Sequence, residues 1–219
     1  YRHTVDRQIF PLPNKRLATK LRGQTFKVAA EQGLGDQIFF SRFLSQLKNR
    51  GATVKFQPDP KIKSLVERVE GIVVEELNEP DFSIADLPYL LGNNAVVPSV
   101  SIRPEEKARL NMLRRLSDCG PPPYIGLTYR AGGAGENTLY KNCTPDAIIS
   151  ILSEISATVI IVQRYPKPKE LMLIFSQLGR EVFDFSDVNE NLEDALALMT
   201  LLDDYIGVSN TNMHLRAAT

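Results

Sequence analysis

Two glycines and a carboxylate stand together in Glu31-Gln32-Gly33-Leu34-Gly35-Asp36, between a β-like apolar run at 26–30 and a helix-like run at 37–49. Gly33 and Gly35 let the backbone turn sharply and approach a ligand closely. The helix that follows offers unpaired N–H groups and the positive end of its dipole to an anion. Asp36, at the same corner, is a carboxylate that could take a proton from whatever the loop touches. A Gly-x-Gly pair also suits a plain tight turn, and both readings stand on local grounds. The dinucleotide fingerprint is excluded. It needs a third small residue where this chain has Ile38, and the acid expected after the second strand is at best Asp59 in a Pro-Asp-Pro turn.

A second constellation is Arg130-Ala131-Gly132-Gly133-Ala134-Gly135-Glu136-Asn137, with Lys141 shortly after. Guanidinium and ammonium groups beside a glycine-rich loop can wrap an anion, although a surface loop with solvated charges has the same composition. A third is Val208-Ser209-Asn210-Thr211-Asn212-Met213-His214. Small polar side chains between a strand and a helix can cradle phosphate oxygens with backbone N–H groups, or simply cap the helix. His214, in the first helical turn, reads more readily as a packed or capping histidine than a catalytic one.

The elements that must position these residues alternate regularly. Strands are expected at 26–30, 53–57, 72–75 and 82–85. Between them lie amphipathic helices, with Phe40, Phe43, Leu44 and Leu47 on one face of the first and Ile62, Leu65, Val66 and Val69 on the second. Pro104-Glu105-Glu106 opens a charged helix reaching about Asp118. Cys119-Gly120-Pro121-Pro122-Pro123 can be neither helix nor central strand, and sets the expected domain boundary: 1–120 and 121–219. Beyond it, strands at 124–129, 158–162, 181–185 and 205–208 alternate with helices from Thr144-Pro145-Asp146, Pro168 and Asn191. A last helix is expected from 209–212 to Thr219. This predicts an α/β chain of two Rossmann-like domains with parallel sheets, ligands lying at the carboxyl ends of the strands. The chain stops inside an element, so the second domain is expected to be incomplete at its C-terminal end.

Composition narrows the function classes. Over 219 residues, 26 lysines and arginines balance 26 aspartates and glutamates, so no excess charge argues for nucleic acid or an anionic membrane. No apolar run approaches the roughly 20 residues that span a bilayer. Tyr1-Arg2-His3 begins no signal-peptide core, so a cytoplasmic setting is expected. Cys119 and Cys143 make no CxxC, and with only His3 and His214 besides them a metal site is not expected.

Ala30-Glu31-Gln32-Gly33-Leu34-Gly35-Asp36-Gln37-Ile38-Phe39-Phe40 resembles the opening motif of the heptosyltransferase-like glycosyltransferases of family 9, which have GT-B architecture. It is most similar to the domain of that kind found C-terminal to tetratricopeptide repeats in bacterial proteins. The resemblance continues through Ala85-Asp86-Leu87-Pro88-Tyr89-Leu90-Leu91-Gly92, Ile125-Gly126-Leu127-Thr128-Tyr129-Arg130-Ala131-Gly132 and the stretch from Leu202 to Leu215. It implies an inverting, metal-independent transferase that moves a sugar from a nucleotide-sugar to an acceptor hydroxyl on a glycan, lipid or protein. The nucleotide-sugar is a substrate, and no cofactor is expected.

On that resemblance Asp36 is the general base, in a cleft loop with Gln32, Gly33 and Gly35. Arg130, Lys141, Ser209, Asn210, Thr211 and His214 bind the donor and its phosphates. An upstream tetratricopeptide-repeat domain is implied as well. Ser209 stands where the family usually has aspartate, and there is no tryptophan, Tyr129 occupying one place where relatives often have it. These departures leave a second reading: a catalytically inactive module of the same fold that binds a nucleotide, glycan or protein.

Overall fold

The computed structural model describes residues 15–30, 33–92, 96–131 and 141–219. Gln32 and residues 132–140, which include most of the glycine-rich loop, lie outside the described residues, as do Glu31 and His3.

The first unit, Tyr1–Val100, is built on a parallel sheet of β1 (Thr25–Ala29), β2 (Thr53–Gln57), β3 (Ile72–Val74) and β4 (Phe82–Ser83), in the order β3-β2-β1-β4. Val28, Val54 and Phe56 are fully buried in it. Helix α1 (Leu34–Asn49) follows β1, and α2 (Lys63–Val66) and α3 (Leu87–Leu91) are short. The apolar face of α1 differs from expectation. Ile38, Ser41, Leu44 and Leu47 are its buried stripe, whereas Phe40 and Phe43 are half-buried and pack on one another at 6.2 Å. Spacing of i, i+3 and i+4 admits two neighbouring stripes, and tertiary contact chooses between them. The strand expected at 82–85 ends at Ser83, where a 3-10 turn, Ile84–Asp86, takes over.

The second unit is Ser101–Thr219, so the division falls after Val100 and not after residue 120. The reason lies in α4 (Glu106–Ser117), whose stripe of Ala108, Met112 and Leu116 is buried as the helix packs on α7 (Leu192–Leu201). Arg115 adds a paired contact to both carboxylate oxygens of Asp187, each at 2.9 Å. The proline run is thus a turn inside this unit. The Pro121 carbonyl accepts from the Thr158 hydroxyl and the Pro123 carbonyl from the Thr158 amide.

Four parallel strands form its sheet: β5 (Tyr124–Thr128), β8 (Thr158–Ile161), β9 (Val182–Asp184) and β10 (Asp204–Gly207), in the order β10-β5-β8-β9. β6 (Arg130–Ala131) and β7 (Lys141–Asn142) make a small antiparallel pair just beyond β5. Helices α5 (Pro145–Ser153), α6 (Pro168–Leu178) and α8 (Thr211–Arg216) complete the unit. The expected starts of α5 and α7 carry their caps: Thr144 accepts from the Ala147 amide and Asn191 from the Glu193 amide. Ile125, Leu127, Val159, Ile161, Ile148, Leu152 and Ile174 form the core between sheet and helices. Cys119 and Cys143 are free thiols.

Candidate functional site

In the first unit, β1 ends at Ala29 and α1 begins at Leu34, with Gly33 as its N-cap in extended backbone (φ −81°, ψ 126°). Among the described residues, no side chain caps this start. Asp36 lies in the first turn and is exposed, while Gly35 behind it is buried. A Cβ on Gly33 would stand 2.5 Å from Asp36 Oδ2. The glycine is therefore a matter of space: it leaves room for the carboxylate to fold back over the helix start. Gln37, 1% exposed, anchors the corner from within. Its side-chain carbonyl accepts from the Asp59 amide at 2.9 Å, tying the loop after β2 to α1, and its backbone carbonyl accepts from the Ser41 hydroxyl at 2.7 Å.

The motif at 85–92 does structural work. The Ser83 amide donates to Asp86 Oδ2, and the Ala85 amide donates to Ser83 Oγ, a reciprocal cap that turns the chain out of β4. Leu87, Leu90 and Leu91 are buried, and Gly92 ends α3 in the left-handed region at φ 61°.

In the second unit the polar residues beyond the strand ends are linked through buried amides. Gln163, 3% exposed and just past β8, accepts from both the Tyr129 and Arg130 amides through Oε1, at 3.1 and 2.8 Å. Its Nε2 donates to the Arg164 carbonyl. One side chain thus aligns the segments leaving β5 and β8. Asn212, 4% exposed, donates to Asn189 Oδ1 at 3.0 Å and to the Val162 carbonyl at 3.3 Å. Asn189 donates to the same Val162 carbonyl and to Ser186. The segments following β8, β9 and β10 are held together by these two asparagines.

Arg130 is engaged by its own unit. Its Nη2 donates to Glu170 Oε2 and to the Tyr165 carbonyl, both at 3.1 Å. The Tyr129 hydroxyl donates to the same Glu170 oxygen at 3.0 Å, as does the Lys167 amide at 3.1 Å. Burial, reinforced by the Glu170 carboxylate, pushes the Tyr129 phenol well above its ordinary range, so it remains a donor.

Lys141 and Ser209 come together. In β6–β7 Ala131 pairs with Lys141, and the Lys141 ammonium lies 3.5 Å from the Ser209 hydroxyl. Asn210 caps α8, its Oδ1 accepting from the Met213 amide at 3.0 Å. Tyr205 holds the Asn210 side chain from behind, donating from its hydroxyl to Asn210 Oδ1 at 3.3 Å. A Cβ on Gly207 would reach 2.7 Å from the Tyr205 ring, and one on Gly126 would meet Leu202 Cδ1 at 2.5 Å and the same ring at 3.0 Å. The two sheet glycines make the space in which the ring lies. Thr211 begins α8, and His214 sits within it, half-buried, with its amide on the Asn210 carbonyl.

Of the sequence-derived candidates, then, Lys141, Ser209 and Asn210 gather at one place on the second unit, and Arg130 is one residue along the same hairpin. Gln163, Glu170, Asn189, Asn212 and Tyr205 were not singled out from sequence. A polar side chain immediately after an apolar β-branched run, as in Val162-Gln163, was the available signal for the first.

Solved structures of similar fold include glycosyltransferases. The glycosyl transferase of family 9 from Veillonella parvula superposes with a TM-score of 0.62 at 12% identity, over 91% of this chain and 79% of that one. The ADP-heptose LPS heptosyltransferase II of Escherichia coli gives 0.58 at 11% identity, over 89% and 82%.

The fold resembles that of the GT-B glycosyltransferases.

Among curated proteins, Protein FlbA of Caulobacter vibrioides is 23% identical over 97% of this chain and 41% of its own length. The 1-deoxy-D-xylulose 5-phosphate reductoisomerase of Trichlorobacter lovleyi is 29% identical over 57% of this chain and 31% of its own length. The chain therefore spans well under half of either curated relative. No family model matches it. Among the described residues, no helix is long and apolar enough to cross a membrane.

Proposed function

We propose that this chain is the catalytic part of an inverting glycosyltransferase, its second unit binding the diphosphate of a nucleotide-sugar and its first unit activating the acceptor hydroxyl. The observation that carries this reading is the approach of Lys141 to Ser209 beside the Asn210 cap, beyond the carboxyl ends of β5 and β10. Parallel α/β sheets bind ligands at that end. An ammonium there would balance the phosphate charge that grows as the glycosidic bond breaks, with the amides at residues 209–211 as further donors. Asp36 would accept the acceptor proton as the hydroxyl oxygen attacks the anomeric carbon from the face opposite the leaving diphosphate. The solved relatives are glycosyltransferases by name, one acting with ADP-heptose, which supports a nucleotide-sugar as the donor class.

A second reading, a nucleotide- or glycan-binding module without turnover, is favoured by Ser209. It stands where the resembling family usually has a carboxylate, and here it meets Lys141 with a neutral hydroxyl.

Thermal unfolding of the protein with UDP, GDP, ADP, CMP and their sugar conjugates tests the donor site. A ligand at 100 times its dissociation constant stabilises the folded state by about 2.7 kcal/mol. A shift with one nucleotide and its conjugates is the expected result, and sugar transfer from that conjugate then separates the two readings. No shift with any of them would remove the donor site.

A further inference from the structure

Among the described residues Tyr165 is the one non-glycine with positive φ, at 49°. Residues with a Cβ enter the left-handed region only against steric resistance, and Pro166 adds to it by disfavouring helical conformations in the residue before it. Yet the side chain so placed is a tyrosine with 67% of its surface exposed. Burial does not hold it there; polar contacts do. Arg130 donates to its carbonyl at 3.1 Å, and Gln163 fixes the preceding carbonyl, that of Arg164, at 2.9 Å. Arg164 lies over the ring, its guanidinium carbon 4.7 Å from the centroid, and donates to the phenol oxygen at 3.0 Å. Local strain maintained by surrounding contacts clusters at active sites, ligand clamps and switch regions.

The position of this ring is informative. It follows β8 by a few residues, beyond the carboxyl end of the strand, the end at which open α/β sheets bind ligands. Through Arg130 it is bound to the β6–β7 hairpin, whose other strand carries Lys141. An exposed aromatic ring backed by a guanidinium is a stacking surface for a flat heterocycle.

We propose that the Tyr165 ring is the platform on which the base of a nucleoside diphosphate stacks while Lys141 and Ser209 hold its phosphates. This rests on the donor-binding reading above and adds to it the residue that makes a nucleotide bind better than its phosphates alone. Stacking of this kind tolerates different bases, so Tyr165 contributes affinity for nucleotides as a class.

The test is calorimetric titration of the protein with ADP, UDP and inorganic pyrophosphate, in the parent chain and in Tyr165→Asn, Tyr165→Phe and Lys141→Ala. Asparagine tolerates the left-handed region, so Tyr165→Asn keeps the backbone that Arg130 contacts while removing the ring. The expected result is that Tyr165→Asn weakens the nucleotides by roughly 10-fold or more and leaves pyrophosphate unchanged. Tyr165→Phe keeps parent affinity, and Lys141→Ala weakens all three ligands. Nucleotide affinity unchanged in Tyr165→Asn would overturn the stacking role and leave the donor site standing. An equal loss for pyrophosphate would also overturn it, by showing that residue 165 acts through Arg130. If the parent chain binds none of the three, the donor-binding reading falls and this proposal with it.

Discussion

The ammonium of Lys141 lies 3.5 Å from the hydroxyl of Ser209, a residue 68 positions away in the chain. The hairpin beyond β5 and the turn beyond β10 meet at this pair because β5 and β10 are hydrogen-bonded neighbours. The contact is long for a hydrogen bond, so its value to stability is small, and its interest is as a paired cation and hydroxyl for an anion. Lys141→Ala is expected to weaken nucleoside diphosphate binding by roughly 10- to 100-fold, with a flatter dependence on salt than the parent protein. Ser209→Ala should cost only a few-fold. Titration at two ionic strengths measures both, and a Lys141→Ala protein with parent affinity would take the lysine out of the site.

Asp36 is exposed in the first turn of α1. Asp36→Asn removes the proton acceptor and keeps the shape. Turnover should fall by roughly 10²- to 10⁴-fold while donor affinity is unchanged. Turnover surviving the change would eliminate Asp36 as the base.

Gly33→Ala separates space from backbone freedom. The extended φ of −81° suits alanine, and the new Cβ would meet the tip of the exposed Asp36 side chain, 2.5 Å from Oδ2. Unfolding temperature should barely move, whereas sugar transfer should drop because the carboxylate must turn aside. A loss of several degrees in Tm would instead make Gly33 a requirement of the fold.

Gln163→Leu keeps the volume but leaves the Tyr129 and Arg130 amides without their buried acceptor. An unsatisfied buried donor costs about 1–3 kcal/mol, so a loss of about 2 kcal/mol or more is expected in denaturant unfolding. A neutral result would mean that another acceptor replaces Gln163.

The Arg115–Asp187 pair ties α4 to the 3-10 turn Ser186–Glu190. Hydrogen bonding from the guanidinium holds the Asp187 carboxyl below the usual carboxylate range. A group whose folded pKa is lowered stabilises the fold above its unfolded pKa of about 3.9, and that contribution is lost as pH falls through the folded value. The Asp187 side chain is 65% exposed, so water screens the pair and the effect should stay below about 1 kcal/mol. Asp187→Asn should lower Tm slightly at neutral pH, and the difference should vanish in acid. A difference that persists at low pH would point to packing of Arg115 on Phe185 in place of charge.

Much of this molecule is legible in its residues taken in order. The apolar runs at Val28, Val54, Ile125 and Val159 become buried parallel strands, and Thr144 and Asn191 cap the helices they open. Asp36, Lys141 and Ser209 each come after the strand they were expected to follow. Other readings depended on contacts that local pattern does not contain. The proline run at 121–123 has a linker's composition, yet Thr158 holds two of its carbonyls within the second unit. Arg130 has the chemistry of an anion ligand, but Glu170 on α6 supplies a carboxylate first.

The sequence by itself determined the type and order of the main sheet strands and the longer helices, because hydrophobic period, proline, glycine and capping side chains act over a few residues, whereas the short α3 and the β6–β7 hairpin were not expected from it. It also placed Asp36 at a helix start, since strand, glycine turn and helix are contiguous. The tertiary structure decided the strand orders β3-β2-β1-β4 and β10-β5-β8-β9, and the packing of α4 on α7. It alone brought Lys141 to Ser209 and set Tyr165 on Arg130, because those pairings join residues separated by 68 and 35 positions. Such pairs exist only after neighbouring strands have chosen each other, and that choice is made by the shared core and not by any local preference.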